Sequence, residues 1–241
     1  MHHIGILAHS ADGAALCYLE MVRESARRLG EHQHPEITLS ILPMGPTIPL
    51  WDANDLSQIS THLRHTADRL NAAGCDFFVC PDNTAHIAFD VATEPYPLPG
   101  LHIADVVAQR AKRDGRKRIA LLGTRYTMQG PAYPTGFKRH GLDMRVPSPA
   151  DQELINTVIF GELCQGILTD ASRAAYVAII EKLKGEGCDA VALSCTEIPL
   201  LITPEVSPLP TLDSTRLLAH AAIDVALGER PLPTWRGGPF T

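Results

Sequence analysis

The tripeptide Gly74-Cys75-Asp76 recurs as Gly187-Cys188-Asp189, 113 positions further along the chain. Each copy leads into an apolar run and then a polar turn, Cys80-Pro-Asp-Asn-Thr84 in one half and Leu193-Ser-Cys-Thr-Glu197 in the other. At that offset Asp82 falls on Cys195, Asn83 on Thr196 and Thr84 on Glu197. Ile4-Gly-Ile-Leu7 matches Ile119-Ala-Leu-Leu122, and Pro99-Gly-Leu-His102 matches Pro210-Thr-Leu-Asp213. The offsets stay between 111 and 115 and keep their order, so duplication of one unit explains them better than chance. The period is far longer than that of a solenoid repeat.

Short apolar, β-branched or aromatic runs alternate with longer helical patterns, which predicts βαβ units and mainly parallel sheets. The expected strands are Ile4–Ala8, Ile37–Leu42, Phe77–Pro81, Ile119–Gly123, Leu142–Val146 and Ala190–Ser194. Helices are expected near 14–29, 56–73, 103–113, 130–140, 150–166 and 172–185, with a last one over 214–227 capped by Asp213 or Ser214. The proline-rich stretches Thr93–Gly100 and Ile202–Pro210 read as linkers. The expected fold class is therefore α/β, with two pseudo-symmetric lobes. Residues 1–98 form the first, completed by the C-terminal helix region 211–241, and 99–210 form the second. Ligands of open α/β sheets bind beyond the C-terminal strand ends, so a pocket in the cleft between the lobes is expected, with Asp82 and Cys195 on its two sides.

The 241 residues, 45% hydrophobic, suffice for a sizeable core. A net charge of −6 gives no reason to expect nucleic-acid binding. No apolar run approaches the roughly 18 residues that span a bilayer. The opening Met-His-His-Ile-Gly-Ile-Leu-Ala lacks the parts of a secretion signal, so a cytoplasmic location is expected. The six cysteines form no Cys-x-x-Cys pair, which argues against a disulfide framework and against a structural zinc site. No metal is expected.

Pro81-Asp-Asn-Thr-Ala-His86 resembles the first signature of the aspartate/glutamate racemase superfamily, in which a cysteine normally precedes Asn-Thr. Leu193-Ser-Cys-Thr-Glu-Ile-Pro199 is similar to its second signature, and Leu122–Met128 and Glu162–Gly166 add supporting similarity. The resemblance runs from Ile4 to about Leu227. It implies two pseudo-symmetric lobes, no cofactor, a homodimer, and a small-molecule carboxylate substrate whose α-proton moves between two groups. Asp82 and Cys195 stand in those two places. Asn83, Thr84 and Thr196, with Ser10 and Thr124 as further candidates, would hold the substrate carboxylate. Backbone N–H groups at the starts of the following helices would assist them.

Asp82 departs from the family pattern. An ordinary carboxylate titrates about 4.6 units below a thiol, a gap of roughly 6 kcal/mol in proton affinity, which burial could narrow. Three readings stay open: a modified two-base racemase or epimerase; an enzyme in which Cys195 alone carries the critical transfer, as in a decarboxylase or cis–trans isomerase of the superfamily; or a protein that only binds small carboxylates. The stretch Met44–Trp51 lacks the arginine that family members acting on acidic amino acids commonly place there. Gln165 stands about where a lysine would serve the same purpose, and Arg125 is a possible substitute.

The bland alternatives are specific. Cys17, Cys75, Cys164 and Cys188 read as core residues, and Cys80 as pointing back into the sheet. Asp82 could simply form a turn with the following residues. His86 reads as a structural hydrogen-bonder, and Glu197 as a helix cap.

Overall fold

The computed structural model describes residues 1–239 and divides into two compact lobes. The first is Met1–Ile103 joined by the segment from Thr215, and the second is Ala104–Ser214. In the first lobe the strands are β1 (Ile4–Ala8), β2 (Ile37–Ile41), β3 (Phe77–Val79) and β4 (Gly100–Leu101). Its helices are α1 (Ala11–Leu29), α2 (Ile48–Asp52), α3 (Leu56–Ala72) and α4 (Ala85–Asp90). From Ile103 onward come α5 (Ile103–Arg113), β5 (Arg118–Gly123), α6 (Arg125–Gln129), α7 (Ala132–Arg139), β6 (Asp143–Arg145) and α8 (Pro149–Gly161). They are followed by α9 (Asp170–Gly185), β7 (Ala190–Ser194), α10 (Ile198–Leu201), β8 (Thr211–Asp213) and α11 (Ser214–Ala226), the last returning the chain to the first lobe.

Both sheets have four strands, all parallel, in the orders β2-β1-β3-β4 and β6-β5-β7-β8. The duplication extends to register. Ile4 pairs with Phe77 as Ile119 pairs with Ala190, and Phe78 pairs with Gly100 as Val191 pairs with Thr211. Central β1 and β7 are buried at every residue, as expected of parallel strands covered on both faces. The helices present one apolar stripe to their sheet. In α3, Ile59, Leu63, Ala67 and Leu70 recur at helical spacing and are buried, and Asp55 caps the start by accepting from the Gln58 N–H at 3.1 Å. The first core gathers Leu7, Ile59, Leu63, Phe78, Phe89 and Trp235, and the second Leu122, Ile155, Tyr176, Ile180, Leu193 and Ile198.

Three expectations need correction, the two linkers and the core placement of Cys164. The proline-rich stretches are not free linkers: Tyr96 and Leu98 are buried, and the Tyr96 hydroxyl donates to the Ser60 carbonyl at 2.8 Å. The stretches lead straight into edge strands β4 and β8, two and three residues long, too short to show a period of two. Asp213 ends β8, and the Ser214 hydroxyl donates to the Leu193 carbonyl of β7, tying the start of α11 to that strand. Cys164 is exposed, because it sits in a 3-10 turn after α8 (Leu163–Gln165) that closes on left-handed Gly166.

After α11 the chain packs back on the first sheet. The Trp235 and Arg236 carbonyls accept from the Gly100 and Tyr96 N–H groups, and the Trp235 ring stands 6.4 Å from Phe78 and 5.9 Å from Phe89. Trp235→Ala is therefore expected to cost about 3–5 kcal/mol, read from urea unfolding midpoints. A cost below about 1 kcal/mol would mean that the tail is not part of this core.

Candidate functional site

The repeat turns lie where β3 and β7 end. In the first lobe, Asp82 follows β3 by three residues and is folded back by its own turn. Its Oδ1 accepts from the Thr84 N–H at 2.9 Å and the Ala85 N–H at 3.2 Å. Oδ2 accepts from His9 Nδ1 at 2.7 Å. His9 follows β1, the strand paired with β3, so parallel pairing carries the imidazole to the carboxylate. The other ring nitrogen, Nε2, meets the Thr47 hydroxyl at 3.3 Å, and Trp51 closes the ring edge-on at 6.0 Å. The Asp82 side chain retains 15% exposure and His9 only 4%. Burial pushes the Asp82 carboxyl up, but the pull of His9 and the Ala85 N–H outweighs it, and the group sits below the usual carboxylate value.

Two expectations change here. The Thr84 and Ala85 N–H groups at the entry to α4 are taken by Asp82 and the next two by the Asn83 and Thr84 carbonyls, so they are not the open donors expected for a substrate carboxylate. The turn and site readings of Asp82 are also not exclusive, because one oxygen makes the turn while the other faces His9. His86 is fully buried and holds the Cys80 carbonyl at 3.0 Å through Nε2, fixing the backbone just ahead of Asp82. Burial and neighbouring His102 push the His86 imidazole well below its ordinary value, so it is neutral.

In the second lobe Cys195 follows β7 directly. Gly123, at the end of the neighbouring β5, permits a close approach there: a Cβ would stand 2.8 Å from the Ser194 carbonyl oxygen. The Cys195 thiol donates to Glu197 Oε2 at 2.9 Å, so Glu197 holds the sulfur and makes no side-chain cap for α10. Burial first, and the Glu197 charge second, push the Cys195 thiol well above its ordinary value. One lobe thus presents a carboxylate held ionised, and the other a thiol held protonated.

The remaining candidates distribute between the lobes. Asn83 is buried and Thr84 half-buried beside Asp82; Ser10 is half-buried at the start of α1. Thr196 is buried beside Cys195, and Thr124 caps α6 by accepting from the Thr127 N–H at 3.2 Å. Arg125 is half-exposed, 4.0 Å from Glu153, and Gln165 is exposed in its 3-10 turn. Among the described residues no three His, Cys, Asp or Glu side chains stand together as metal ligands. No described helix is long and apolar enough to cross a membrane.

The sequence reading passed over His9, Thr47 and Trp51. A signal for His9 existed: the 115-residue offset between the opening strands carries Thr124 onto His9, one position before Ser10.

Residues 7–222 match the family model described as Asp/Glu/Hydantoin racemase. The chain belongs to this family. Racemases are isomerases, and membership sets that reaction class for this enzyme. The broad specificity amino-acid racemase RacX of Bacillus subtilis is 24% identical over 161 residues, 67% of this chain and 69% of that protein. A glutamate racemase of Pseudomonas entomophila is 28% identical over 182 residues, 72% of this chain but only 66% of that protein. Among solved structures, a candidate Asp/Glu racemase from Yersinia pestis superposes with a TM-score of 0.84 at 32% identity, covering 94% of this chain and 100% of that one. An aspartate racemase homologue from Pyrococcus horikoshii gives 0.79 at 27% identity, with the same coverage.

The state of the family member's thiol is open to measurement. Alkylation consumes the thiolate, so a thiol held protonated reacts only at more alkaline pH than a free cysteine. Peptide-resolved iodoacetamide labelling of Cys195 should show a rate midpoint well above that of exposed Cys164. Glu197→Gln should lower that midpoint by removing the negative charge. Equal midpoints for the two cysteines would contradict the electrostatics described here.

Proposed function

We propose that this racemase-family enzyme moves the α-proton of a small amino acid or related carboxylate between Asp82 and Cys195, which act on opposite faces of one planar carbanion. The observation carrying this reading is the opposed hydrogen bonding of the two repeat-related groups: Asp82 accepts from two backbone N–H groups and His9, and the Cys195 thiol donates to Glu197. At rest one is an acceptor (Asp82, ionised) and the other a donor (Cys195, protonated). A two-base racemase needs that pairing at the start of turnover, because one group takes a proton while the other gives one.

For a substrate presenting its α-hydrogen to the first lobe, Asp82 takes the proton and the Cys195 thiol supplies one to the other face. For the mirror-image substrate the thiol must first be deprotonated, and Glu197 is the acceptor at hand, 2.9 Å from Sγ. A thiol raised above its ordinary value is, once ionised, a stronger base toward a carbon acid. Asn83, Thr84 and Thr196, with Ser10 and Thr124, hold the substrate carboxylate through hydroxyl and amide hydrogen bonds. No arginine or lysine occurs between Arg28 and Arg64, which favours a substrate with a neutral side chain over aspartate or glutamate.

The test is racemisation and α-hydrogen exchange in D2O over all common amino acids. Cys195→Ala is expected to lower racemisation at least 100-fold, the usual range for losing a general acid or base. Undiminished racemisation in that variant refutes the proposal. Carbon dioxide release from a disubstituted malonate without racemisation would instead favour the one-cysteine decarboxylase.

A further inference from the structure

We infer that the proton-transfer group of the first lobe is the Asp82–His9 pair, in which His9 stores the proton that Asp82 delivers. The inference rests on the function proposed above and deepens it. It starts from a mismatch: Asp82 stands where a thiol is usual, and a carboxylate's ordinary value, about 3.9, lies far below a thiol's, about 8.5. An ionised carboxylate has no proton to give, and it takes one from carbon only weakly.

The hydrogen bonds around His9 supply what Asp82 lacks. The His9 ring is almost completely buried, yet both of its nitrogens face acceptors. Nδ1 meets Asp82 Oδ2 at 2.7 Å. Nε2 meets the Thr47 oxygen at 3.3 Å, and the single Thr47 proton is already committed to the Met44 carbonyl at 2.8 Å. A hydroxyl that has spent its proton can only accept. In the proton-loaded form of the pair a proton on each ring nitrogen satisfies every partner and the carboxylate balances the charge. Loss of the Nδ1 proton leaves the form that accepts from carbon. Thr47 is itself fully buried, so water does not replace it as the acceptor.

The 2.7 Å contact lets one proton pass between the imidazole and the carboxylate, so the pair can both hold a proton and release it. In the delivering direction the Nδ1 proton shifts to Oδ2, and the carboxylic acid so formed passes it to the carbanion. One O–H bond breaks, one C–H bond forms, and the pair goes from net neutral to singly negative. In the reverse direction Oδ2 takes the α-proton, the C–H electron pair stays on carbon, and the proton moves on to Nδ1. His9 acts only through Asp82 and is a positioning and proton-storing residue. The other titratable groups facing the pair are His62 on α3, with His65 beside it, His86 on α4 and the Cys80 thiol after β3.

His9→Asn keeps a donor near the Nδ1 position but removes the titrating ring. The first readout needs no substrate: the titration of the Asp82 carboxyl carbon by NMR in the free enzyme. The Asp82 midpoint should rise in His9→Asn, because the balancing cation is gone. The second is kinetic. Racemisation should fall at least 100-fold, while α-hydrogen exchange persists in the enantiomer that presents its hydrogen to Cys195. Thr47→Val removes the Nε2 acceptor together with the hydroxyl's bond to the Met44 carbonyl, which keeps the Thr47 backbone N–H as partner, and it serves if His9→Asn does not fold. It should move the acid limb of the racemisation pH profile to lower pH.

An unmoved Asp82 midpoint in His9→Asn, or racemisation within threefold of the unsubstituted enzyme, overturns the inference, as does an unmoved acid limb in Thr47→Val. Exchange lost from both enantiomers in a folded His9→Asn protein overturns it too, since that marks a general structural role. A shifted midpoint in an enzyme that exchanges no α-hydrogen at all would instead refute the proposed function, and the transfer role of the pair with it.

Discussion

Parallel pairing of β1 with β3, and of β5 with β7, is the constraint on which the candidate site depends. In a parallel pair both strands end on the same edge, so the residues just after them are brought together whatever their distance in sequence. His9 and Asp82 are 73 positions apart and meet at 2.7 Å for this reason. The shared register in the two sheets gives Thr124 and Cys195 equivalent places at the ends of β5 and β7. Burial on both faces keeps these strands from slipping, because a shift of one residue would turn each apolar side chain toward the wrong layer.

The two halves use the same backbone for opposite electrostatic ends. After β3 a carboxylate is surrounded by two backbone N–H groups and an imidazole, all of which favour its charge. After β7 a thiol faces a carboxylate, which disfavours its charge, in a buried setting that disfavours it further. Equivalent positions of the repeat therefore carry a carboxylate among donors and a thiol beside an acceptor, on the same strand register. Each turn has its own local partner, His9 in one lobe and Glu197 in the other.

Much of this was legible without coordinates. The apolar runs of β1 and β7 were located to the residue, since a buried parallel strand is a continuous hydrophobic stretch. Helix α5 was found with equal accuracy, and the equivalence of Asp82 and Cys195 came from the repeat alone. Strands of two or three residues, such as β4 and β8, were not legible, and neither were the short helices α2, α4 and α10. Segments of that length carry no periodicity, and they form because neighbouring elements supply hydrogen-bond partners and apolar surface.

By itself the sequence determined the α/β class, the internal repeat, the family signatures and the two equivalent turns that carry Asp82 and Cys195, because these depend on local pattern and on residue identity. Tertiary structure alone decided their chemical state. Whether Asp82 is charged depends on His9 and on N–H groups turned toward it, and whether Cys195 is protonated depends on burial and on the side-chain direction of Glu197. Proton affinity is set by what surrounds a group in space, and distance along the chain does not record it.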